Sequence, residues 1–257
     1  MVDLNASICY DFGVQGGISM IKTILFDLDG TLLPMDQDVF VNSYFSKLIA
    51  YLTPYGYDPK TLSKSIWSGT GAMIANDGAK KNETVFWETF RSFCGERVIQ
   101  DKPLLETFYE TDFQNVQSDC GFNHQSLQLL AWLKENGLRL VLATNPLFPA
   151  IATHSRIRWA GLNPDDFEHI TTYENSSYCK PNPDYYREIL SKLNLKPEEC
   201  VMVGNDTVED MIAETLGMKV FLLTDCLINK PSADISTWPN GGFPELKAYL
   251  WSILTMV

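Results

Sequence analysis

Residues Thr23–Leu32 read TILFDLDGTL, an apolar run that ends in two aspartates separated by one residue. The run is apolar on both faces, which is typical of a central strand in a parallel sheet, because helices cover both sides of such a sheet. Side chains alternate along a strand, so Asp27 and Asp29 emerge on the same side and repel each other. We therefore expect a divalent cation or a lysine at a neighbouring strand end, either of which would hold both carboxylates ionised.

The remainder of the chain shows two kinds of pattern. Between residues 36 and 120 the sequence runs through helical patterns with no convincing strand, and several begin at Asp or Asn, which are preferred N-cap residues. After Gly121, predicted helices and strands alternate, which implies parallel strands joined by right-handed crossovers. The strands predicted there are 138–144, 167–172, 200–204 and 218–224, and the helices are 124–137, 149–161, 183–195, 208–217 and 244–254.

These patterns predict an α/β fold: a doubly wound parallel sheet of the Rossmann-like type, interrupted after its first strand by an all-helical domain. The predicted core is formed by residues 20–35 and 121–257, the helical insert by residues 36–120, and an N-terminal extension without clear periodicity by residues 1–19. Four aromatic residues of the insert lie at helical spacing and are predicted to pack in its core rather than to contact substrate: Trp67, Phe86, Trp87 and Phe90.

The composition is that of an ordinary globular protein with an acidic surface. Of the 257 residues, 45% are hydrophobic and 20% are charged, and the formal net charge is −12. A surface of this sign repels phosphate backbones and anionic headgroups, so we expect no nucleic-acid partner and no membrane partner. The six cysteines form no C-x-x-C pair and do not cluster with histidines, which excludes an obvious zinc site. The N-terminus is acidic where a signal peptide needs a basic residue, and we expect a cytoplasmic protein.

Further polar residues follow the later predicted strands, at the edge where ligands of such sheets bind. They are Thr144 and Asn145 after the second strand, Lys180 after the third, and Asp206 and Asp210 after the fourth. The hydroxyl and N–H groups after the second strand can bind an anionic oxygen. Asp27, Asp29 and Asp206 would form an oxygen-rich site that suits Mg²⁺, a cation that also accepts substrate phosphate oxygens.

The order of these residues resembles the four motifs of the haloacid dehalogenase-like (HAD) hydrolase superfamily. The motifs correspond to Asp27-x-Asp29-Gly30-Thr31, then Thr144, then Lys180, then Gly204-Asn205-Asp206 with Asp210. The resemblance covers about residues 21 to 225, and the helical insert is similar to the C1 cap of that superfamily. Many relatives carry Asp directly after the glycine of the fourth motif, where this chain has Asn205. Whether Asn205 or only Asp206 would contact the metal is therefore open.

The resemblance implies a two-step phosphoryl transfer. Asp27 would attack phosphorus and form an aspartyl-phosphate, which is covalent catalysis by a carboxylate. Asp29 would protonate the leaving oxygen and then deprotonate the water that hydrolyses the intermediate. The implied cofactor is Mg²⁺, and its candidate ligands are Asp27, Asp29, Asp206 and Asp210.

The same resemblance implies how the phosphoryl group is bound. Thr144 and Lys180 would hold its oxygens, and Asn145, which follows the second strand beside Thr144, is a further candidate for the same contact. Gly30 would let the chain turn sharply beside it, because a side chain there would crowd the site. Asp210 would either contact the metal through water or orient Lys180.

The predicted function is that of a Mg²⁺-dependent phosphatase, with a small soluble phosphorylated molecule, a phosphomonoester, as its substrate. A phosphomutase acting on a sugar phosphate would use the same chemistry. A catalytically silent binding or regulatory module is an alternative of another class, and its expected mark is the loss of a catalytic residue. A dehalogenase is disfavoured, because that branch of the superfamily does not need the second aspartate, which here is Asp29. Neither the identity of the substrate nor the oligomeric state follows from the sequence.

Overall fold

The first strand of the sheet is buried on both faces, as its apolar sequence predicts. The structure, a computed structural model, describes residues 21–254, so the predicted extension over residues 1–19 lies outside the described residues. Every residue of strand β1 (Thr23–Phe26) is buried. Ile24 and Phe26 belong to one hydrophobic cluster, and Leu25 belongs to a second cluster on the opposite face. Strand β1 therefore lies at the centre of the sheet's core.

After β1 the described chain is first helical, and helices and strands then alternate as far as residue 204, after which two more strands follow with no α-helix before either of them. The helical part contains α1 (Gln37–Leu52), α2 (Pro59–Ile74), α3 (Asn82–Cys94), α4 (Arg97–Gln100) and α5 (Lys102–Glu110). The remaining part contains α6 (His124–Glu135), β2 (Arg139–Leu142), α7 (Ala150–Trp159), β3 (His169–Ile170), α8 (Pro183–Lys192), β4 (Cys200–Gly204), β5 (Lys219–Leu223), β6 (Asn240–Gly241) and α9 (Phe243–Leu254). None of the helices formed by residues 21–254 has the length and apolar character needed to cross a membrane.

The strands form one parallel sheet in the order β3-β2-β1-β4-β5-β6. Strand β1 lies between β2 and β4, and Phe26 pairs with Leu142 on one side and with Val203 on the other. Helices α6, α7 and α9 pack on one face of the sheet, and α8 packs on the other. The predicted doubly wound parallel α/β fold with an all-helical insert is confirmed. Because all strands run the same way, their carboxyl ends share one edge.

The helical insert leaves and rejoins the core at adjacent points. Met35 and Cys120 form an antiparallel bridge, and the backbone N–H of Gly121 donates to the carbonyl oxygen of Pro34 at 2.7 Å. Phe40 of α1 belongs to the same hydrophobic cluster as one face of β1, so the insert shares its apolar packing with the core. The division at residues 36 and 120 itself stays a prediction.

Three local features differ from the prediction. The prediction of an α-helix over residues 208–217 is wrong, since only Met211–Leu216 is helical, and it forms a 3₁₀ helix. The N–H groups of Val208 and Glu209 donate to Asp206 Oδ1 at 2.7 and 2.9 Å, so a side chain closes the turn where a first helical turn was expected. Helix α4 and strand β6 were not predicted, because four and two residues are too short to show a period.

Candidate active site

Polar side chains that lie far apart in the sequence meet at the carboxyl edge of the sheet. They surround a small cavity of about 30 Å³. Its lining includes these predicted site residues: Asp27, Asp29, Thr144, Asn145, Asp206 and Asp210. Lys180 is bonded to Asp27, and Gly30 lies against Asn205, which also lines the cavity. The structure thus brings every predicted site residue to one location.

Lys180 is the cation that compensates Asp27, the first of the two strand-end carboxylates. Its side chain is 1% exposed, and Nζ donates to Asp27 Oδ1 at 3.0 Å and to Asp210 Oδ1 at 2.6 Å. Burial acts to lower the pKa of Lys180, but the carboxylates of Asp210 and Asp27 outweigh it and hold that pKa well above its usual range. Burial raises the pKa of Asp27 to about 7, although Lys180 opposes this. A further cation at this edge would therefore favour the ionised form of Asp27.

Asn205 and Asp27 are linked through the hydroxyl of Thr31. The hydroxyl of Thr31 is 3.1 Å from Asp27 Oδ2 and 3.1 Å from Asn205 Oδ1, so it can donate to either. Asn205 Nδ2 donates to the carbonyl oxygen of Cys226 at 2.6 Å, which leaves the amide oxygen on the side of Asp27. Gly30 has a φ of +81°, and a Cβ there would collide with the Asn205 side chain. Glycine at position 30 is thus needed for both the turn and this close approach.

The carboxylates of Asp206 and Asp210 have different hydrogen-bond partners. Asp206 Oδ1 accepts the two N–H groups of the turn after β4. Both carboxylate oxygens of Asp210 have partners within the protein, because Oδ1 accepts from Lys180 and Oδ2 accepts from the Asp206 N–H at 3.0 Å. A Cβ on Gly204 would collide with the Asp210 carboxylate. Of the two roles predicted for Asp210, this geometry favours the orientation of Lys180.

Thr144 and Asn145 are fixed by hydrogen bonds to helix α8 and to two other loops. The Thr144 carbonyl oxygen accepts from Tyr185 Oη at 2.8 Å, which fixes its backbone after β2. Asn145 Oδ1 accepts from the Lys180 N–H at 3.3 Å, and Asn145 Nδ2 donates to Glu209 Oε2 at 3.0 Å. Burial raises the pKa of Glu209 to about 7. Asn145 therefore connects the loop that carries Lys180 to the loop after β4.

Arg156 is a site residue that the sequence did not indicate. It is fully buried on α7, and its guanidinium donates to Asp29 Oδ2. The guanidinium carbon lies 4.2 Å from the centre of the Phe148 ring. No motif contains Arg156, and arginines in helices are usually exposed. Since α7 has buried residues on several sides, its periodicity gave no signal for this position.

Asn82 was also missed, and it joins the insert to the core next to the site. Its side chain is completely buried at the start of α3. Asn82 Nδ2 lies 3.4 Å from the carbonyl oxygen of Pro146 and 3.3 Å from that of Tyr178. These carbonyls belong to the loops that carry Asn145 and Lys180. The sequence indicated only a helix start at Asn82, because its acceptors lie in remote parts of the chain.

A second and larger cavity of about 790 Å³ lies between the insert and the core. Asp29 and Asn145 line both cavities, so the two adjoin. Trp67 lines the larger cavity and is 53% exposed, so the prediction that it packs in the core of the insert is wrong. Its ring meets Phe45 edge-on at 4.7 Å between centroids, on the cavity wall. Trp87 is buried as predicted and also lines this cavity.

The donor atoms around the small cavity fit Mg²⁺. Within residues 21–254, no three His, Cys, Asp or Glu side chains are grouped so that they could hold a metal ion by themselves. Mg²⁺ does not require such a group, since proteins bind it through one or two carboxylates and leave other positions to water and substrate phosphate. Asp27, Asn205 and Asp206 offer carboxylate and amide oxygens here. Asp29 Oδ1 is buried and has no hydrogen-bond partner among the described residues.

Comparison with known proteins extends these observations. A model of the family described as haloacid dehalogenase-like hydrolase matches residues 21–213. The pyrophosphatase PpaX of Bacillus pumilus (strain SAFR-032) is 27% identical over 202 residues, which cover 78% of this chain and 82% of that protein. A 2-haloacid dehalogenase from Pseudomonas syringae pv. Tomato DC3000 has a TM-score of 0.59 at 20% identity, over 91% of this chain and 99% of that one. A HAD phosphatase from Thermococcus onnurineus has a TM-score of 0.54 at 19% identity, over 90% and 98%. At these identities the structural matches establish the fold alone.

Proposed function

The chain belongs to the haloacid dehalogenase-like hydrolases and is an enzyme of that family. On this basis we propose that it is a Mg²⁺-dependent phosphatase acting on a small phosphomonoester. The observation that carries the proposal is the position of Lys180. Its buried ammonium group lies between Asp27 and Asp210, at 3.0 and 2.6 Å. A fixed cation beside a carboxylate nucleophile is suited to bind the oxygens of a phosphoryl group.

The first step forms an aspartyl-phosphate. A carboxylate oxygen of Asp27 attacks phosphorus, and the bond from phosphorus to the ester oxygen breaks. Asp29 donates a proton to that oxygen, so the product leaves as a neutral alcohol. The position of Asp29 supports this role, because its side chain lines both the small cavity and the larger one into which the alcohol would leave.

The second step returns the enzyme to its starting state. Asp29 takes a proton from a water molecule, and the water oxygen attacks the phosphorus of the aspartyl-phosphate. The bond from phosphorus to Asp27 then breaks and releases inorganic phosphate. Lys180, Thr144 and Asn145 would hold the phosphoryl oxygens through both steps. When bound, Mg²⁺ would supply positive charge that offsets the negative charge of the phosphoryl group.

We predict that hydrolysis of p-nitrophenyl phosphate requires Mg²⁺. Removal of divalent metal with EDTA should lower the rate by roughly a hundredfold or more, because a metal ion contributes several kcal/mol of charge stabilisation. Excess Mg²⁺ should restore the rate, which colorimetric release of p-nitrophenol would measure. A full rate in the metal-free protein would refute the metal dependence.

The same assay distinguishes the two candidate metal contacts of the fourth motif. The Mg²⁺ concentration that gives half the maximal rate would be measured for Asn205→Ala and for Asp206→Ala. The variant that has lost a metal contact should need about tenfold or more Mg²⁺. Asn205 is favoured as the contact, because its oxygen shares the Thr31 hydroxyl with Asp27, whereas Asp206 Oδ1 closes a turn.

Other parts of the proposal rest on the sequence. Residues 36–120 would act as a cap over the core formed by residues 20–35 and 121–257, and the protein would act in the cytoplasm. A phosphomutase would transfer the phosphoryl group back to an acceptor instead of to water. Incubation with a sugar phosphate therefore separates the two activities, because the phosphatase releases inorganic phosphate and the mutase releases an isomeric sugar phosphate.

We predict that Arg156 positions Asp29 for its acid role. Arg156→Gln should lower kcat about tenfold for an alkyl phosphate, whose poor leaving group needs a proton, and much less for p-nitrophenyl phosphate. A purely structural role would lower both rates equally. Arg158→Gln is the matched control, since Arg158 is exposed on the same helix. Equal losses for the two esters would contradict the positioning role.

A further inference from the structure

The larger cavity lies where the leaving group of the substrate would be. Asp29, which would protonate the leaving oxygen, lines both cavities, and so do Asn145 and Glu209. A phosphoryl group at the small cavity would therefore direct its ester substituent into the larger one. A volume of about 790 Å³ is ample for an organic group, and it greatly exceeds the space that a second phosphate or a glycolate needs.

The walls of this cavity are mainly apolar, and aromatic rings form a large part of them. They include Phe40, Tyr44, Phe45, Phe90, Tyr109 and Phe148. The hydroxyl groups of Tyr44 and Tyr109 are 2.8 Å apart, and one donates to the other, so each hydroxyl oxygen has a partner within the protein. Tyr44 also packs on Phe148, with 5.2 Å between ring centroids. The aromatic wall is thus already packed and presents apolar surface to an occupant.

The charged groups of the cavity would repel a second anion. The carboxylates in its lining, beyond those shared with the small cavity, are Asp38, Glu83, Glu106, Glu110 and Glu174. The lysines in its lining are Lys102 and Lys230. Lys102 Nζ already lies 3.4 Å from Glu83 Oε1 and 4.5 Å from the centre of the Trp87 ring. A substrate with a second phosphate or a carboxylate in this space would therefore face an excess of negative charge.

From the shape, wall chemistry and charge of this cavity, we propose that the substrate is the phosphate monoester of a bulky, largely apolar alcohol that carries an aromatic ring and no second anionic group. The inference rests on the proposed phosphatase function and specifies its substrate class. It separates this chain from its relatives named pyrophosphatase, whose substrate would place a second phosphate in the larger cavity.

The test compares two esters whose leaving alcohols have nearly the same acidity, n-propyl phosphate and 3-phenylpropyl phosphate. The ratio of their kcat/KM values then measures how much the contacts between the phenyl group and the cavity favour the reaction. We expect 3-phenylpropyl phosphate to be favoured by roughly tenfold to a hundredfold, as an apolar pocket discriminates by that amount. Pyrophosphate and phosphoglycolate, measured by release of inorganic phosphate, should be poorer than 3-phenylpropyl phosphate by at least as much.

Two matched variants test whether the cavity is the source of the selectivity. Trp67→Ala removes one aromatic ring of the cavity wall, whose residue is 53% exposed. It should lower the ratio of the two kcat/KM values at least about threefold. Phe93→Ala removes an exposed aromatic ring of the same insert that is not part of the cavity lining, and it should leave the ratio unchanged.

The outcomes separate this inference from the function on which it rests. If the wild type hydrolyses both esters at equal kcat/KM, or prefers pyrophosphate, the substrate class is wrong and the phosphatase function stands. If it hydrolyses no ester in the presence of Mg²⁺, the function is wrong and the inference fails with it. A ratio that falls equally in Trp67→Ala and Phe93→Ala would assign the selectivity to some other surface and overturn the proposal.

Discussion

Replacement of Asp27 by asparagine is expected to stop turnover and, in the metal-free protein, to make the fold more stable. Asparagine has nearly the same shape as aspartate but cannot form the aspartyl-phosphate. The loss of kcat should be roughly a thousandfold or more, as for other residues that act as the nucleophile of a catalytic unit. Hydrolysis of p-nitrophenyl phosphate with Mg²⁺ would measure it. A variant with more than a tenth of the wild-type rate would refute the assignment of Asp27.

The gain in stability follows from the burial of Asp27. Burial raises its pKa from 3.8 to about 7 in the folded protein. Between these two values the folded state binds more protons than the unfolded state, so the free energy of unfolding falls as the pH rises. Above about pH 7 the wild type carries the full cost of a buried carboxylate, and Asp27→Asn does not. We expect the variant to be more stable by on the order of 2 to 4 kcal/mol at pH 8 and by little at pH 4.

Urea denaturation in EDTA at the two pH values would test this prediction. EDTA is necessary because a bound cation would stabilise the ionised form of Asp27 and reduce the difference. Asp165→Asn is a suitable control, since Asp165 is exposed and the same change of group there should alter stability by less than about 0.5 kcal/mol at either pH. If Asp27→Asn were the less stable protein at pH 8, burial would not dominate the energetics of this carboxylate.

The residues that could be predicted are those that the fold positions by itself. Parallel strands end at one edge, so Asp27, Thr144 and Asn205 had to meet once β1, β2 and β4 were recognised as neighbours. A pair of carboxylates at a strand end also called for a cation, and Lys180 fills that place for Asp27, whereas Asp29 pairs with Arg156 instead. Neither conclusion depended on side-chain packing, which a single sequence does not reveal.

Arg156 and Asn82 could not be predicted, because their partners are determined by how helices pack onto the core. A charged residue can lie on any side of a helix, and the sequence does not show which side faces the core. Arg156 reaches Asp29 only because α7 packs against the loop that follows β1. Asn82 looks like an ordinary polar residue at a helix start, and its acceptors become its neighbours only when the insert closes on the core. Both positions need tertiary information that hydrophobic periodicity does not contain.

Replacement of Lys180 by methionine is expected to be strongly destabilising as well as inactivating. Methionine keeps most of the length of the side chain but leaves Asp27 and Asp210 buried without their cation. Removal of one partner from a buried ion pair typically costs about 3–5 kcal/mol, because the remaining charge is left uncompensated. The loss should be largest at pH 8 and smaller at pH 5, where protonation of Asp27 relieves part of the repulsion. Urea denaturation in EDTA at both pH values would measure it.

A second substitution distinguishes lost charge compensation from lost packing. In Lys180→Met combined with Asp210→Asn, only one of the two carboxylates that Lys180 contacted remains, so a good part of the lost stability should return although two native groups are now missing. Lys22→Met is the matched control, since Lys22 forms an exposed pair with Glu199 at 2.9 Å, and its loss should cost at most about 1 kcal/mol. If the double variant were less stable than Lys180→Met alone, packing rather than charge would explain the role of Lys180. Recovery in the double variant without recovery of activity would instead show that the buried charges are balanced against one another, and that the ammonium group itself is needed for the phosphoryl transfer.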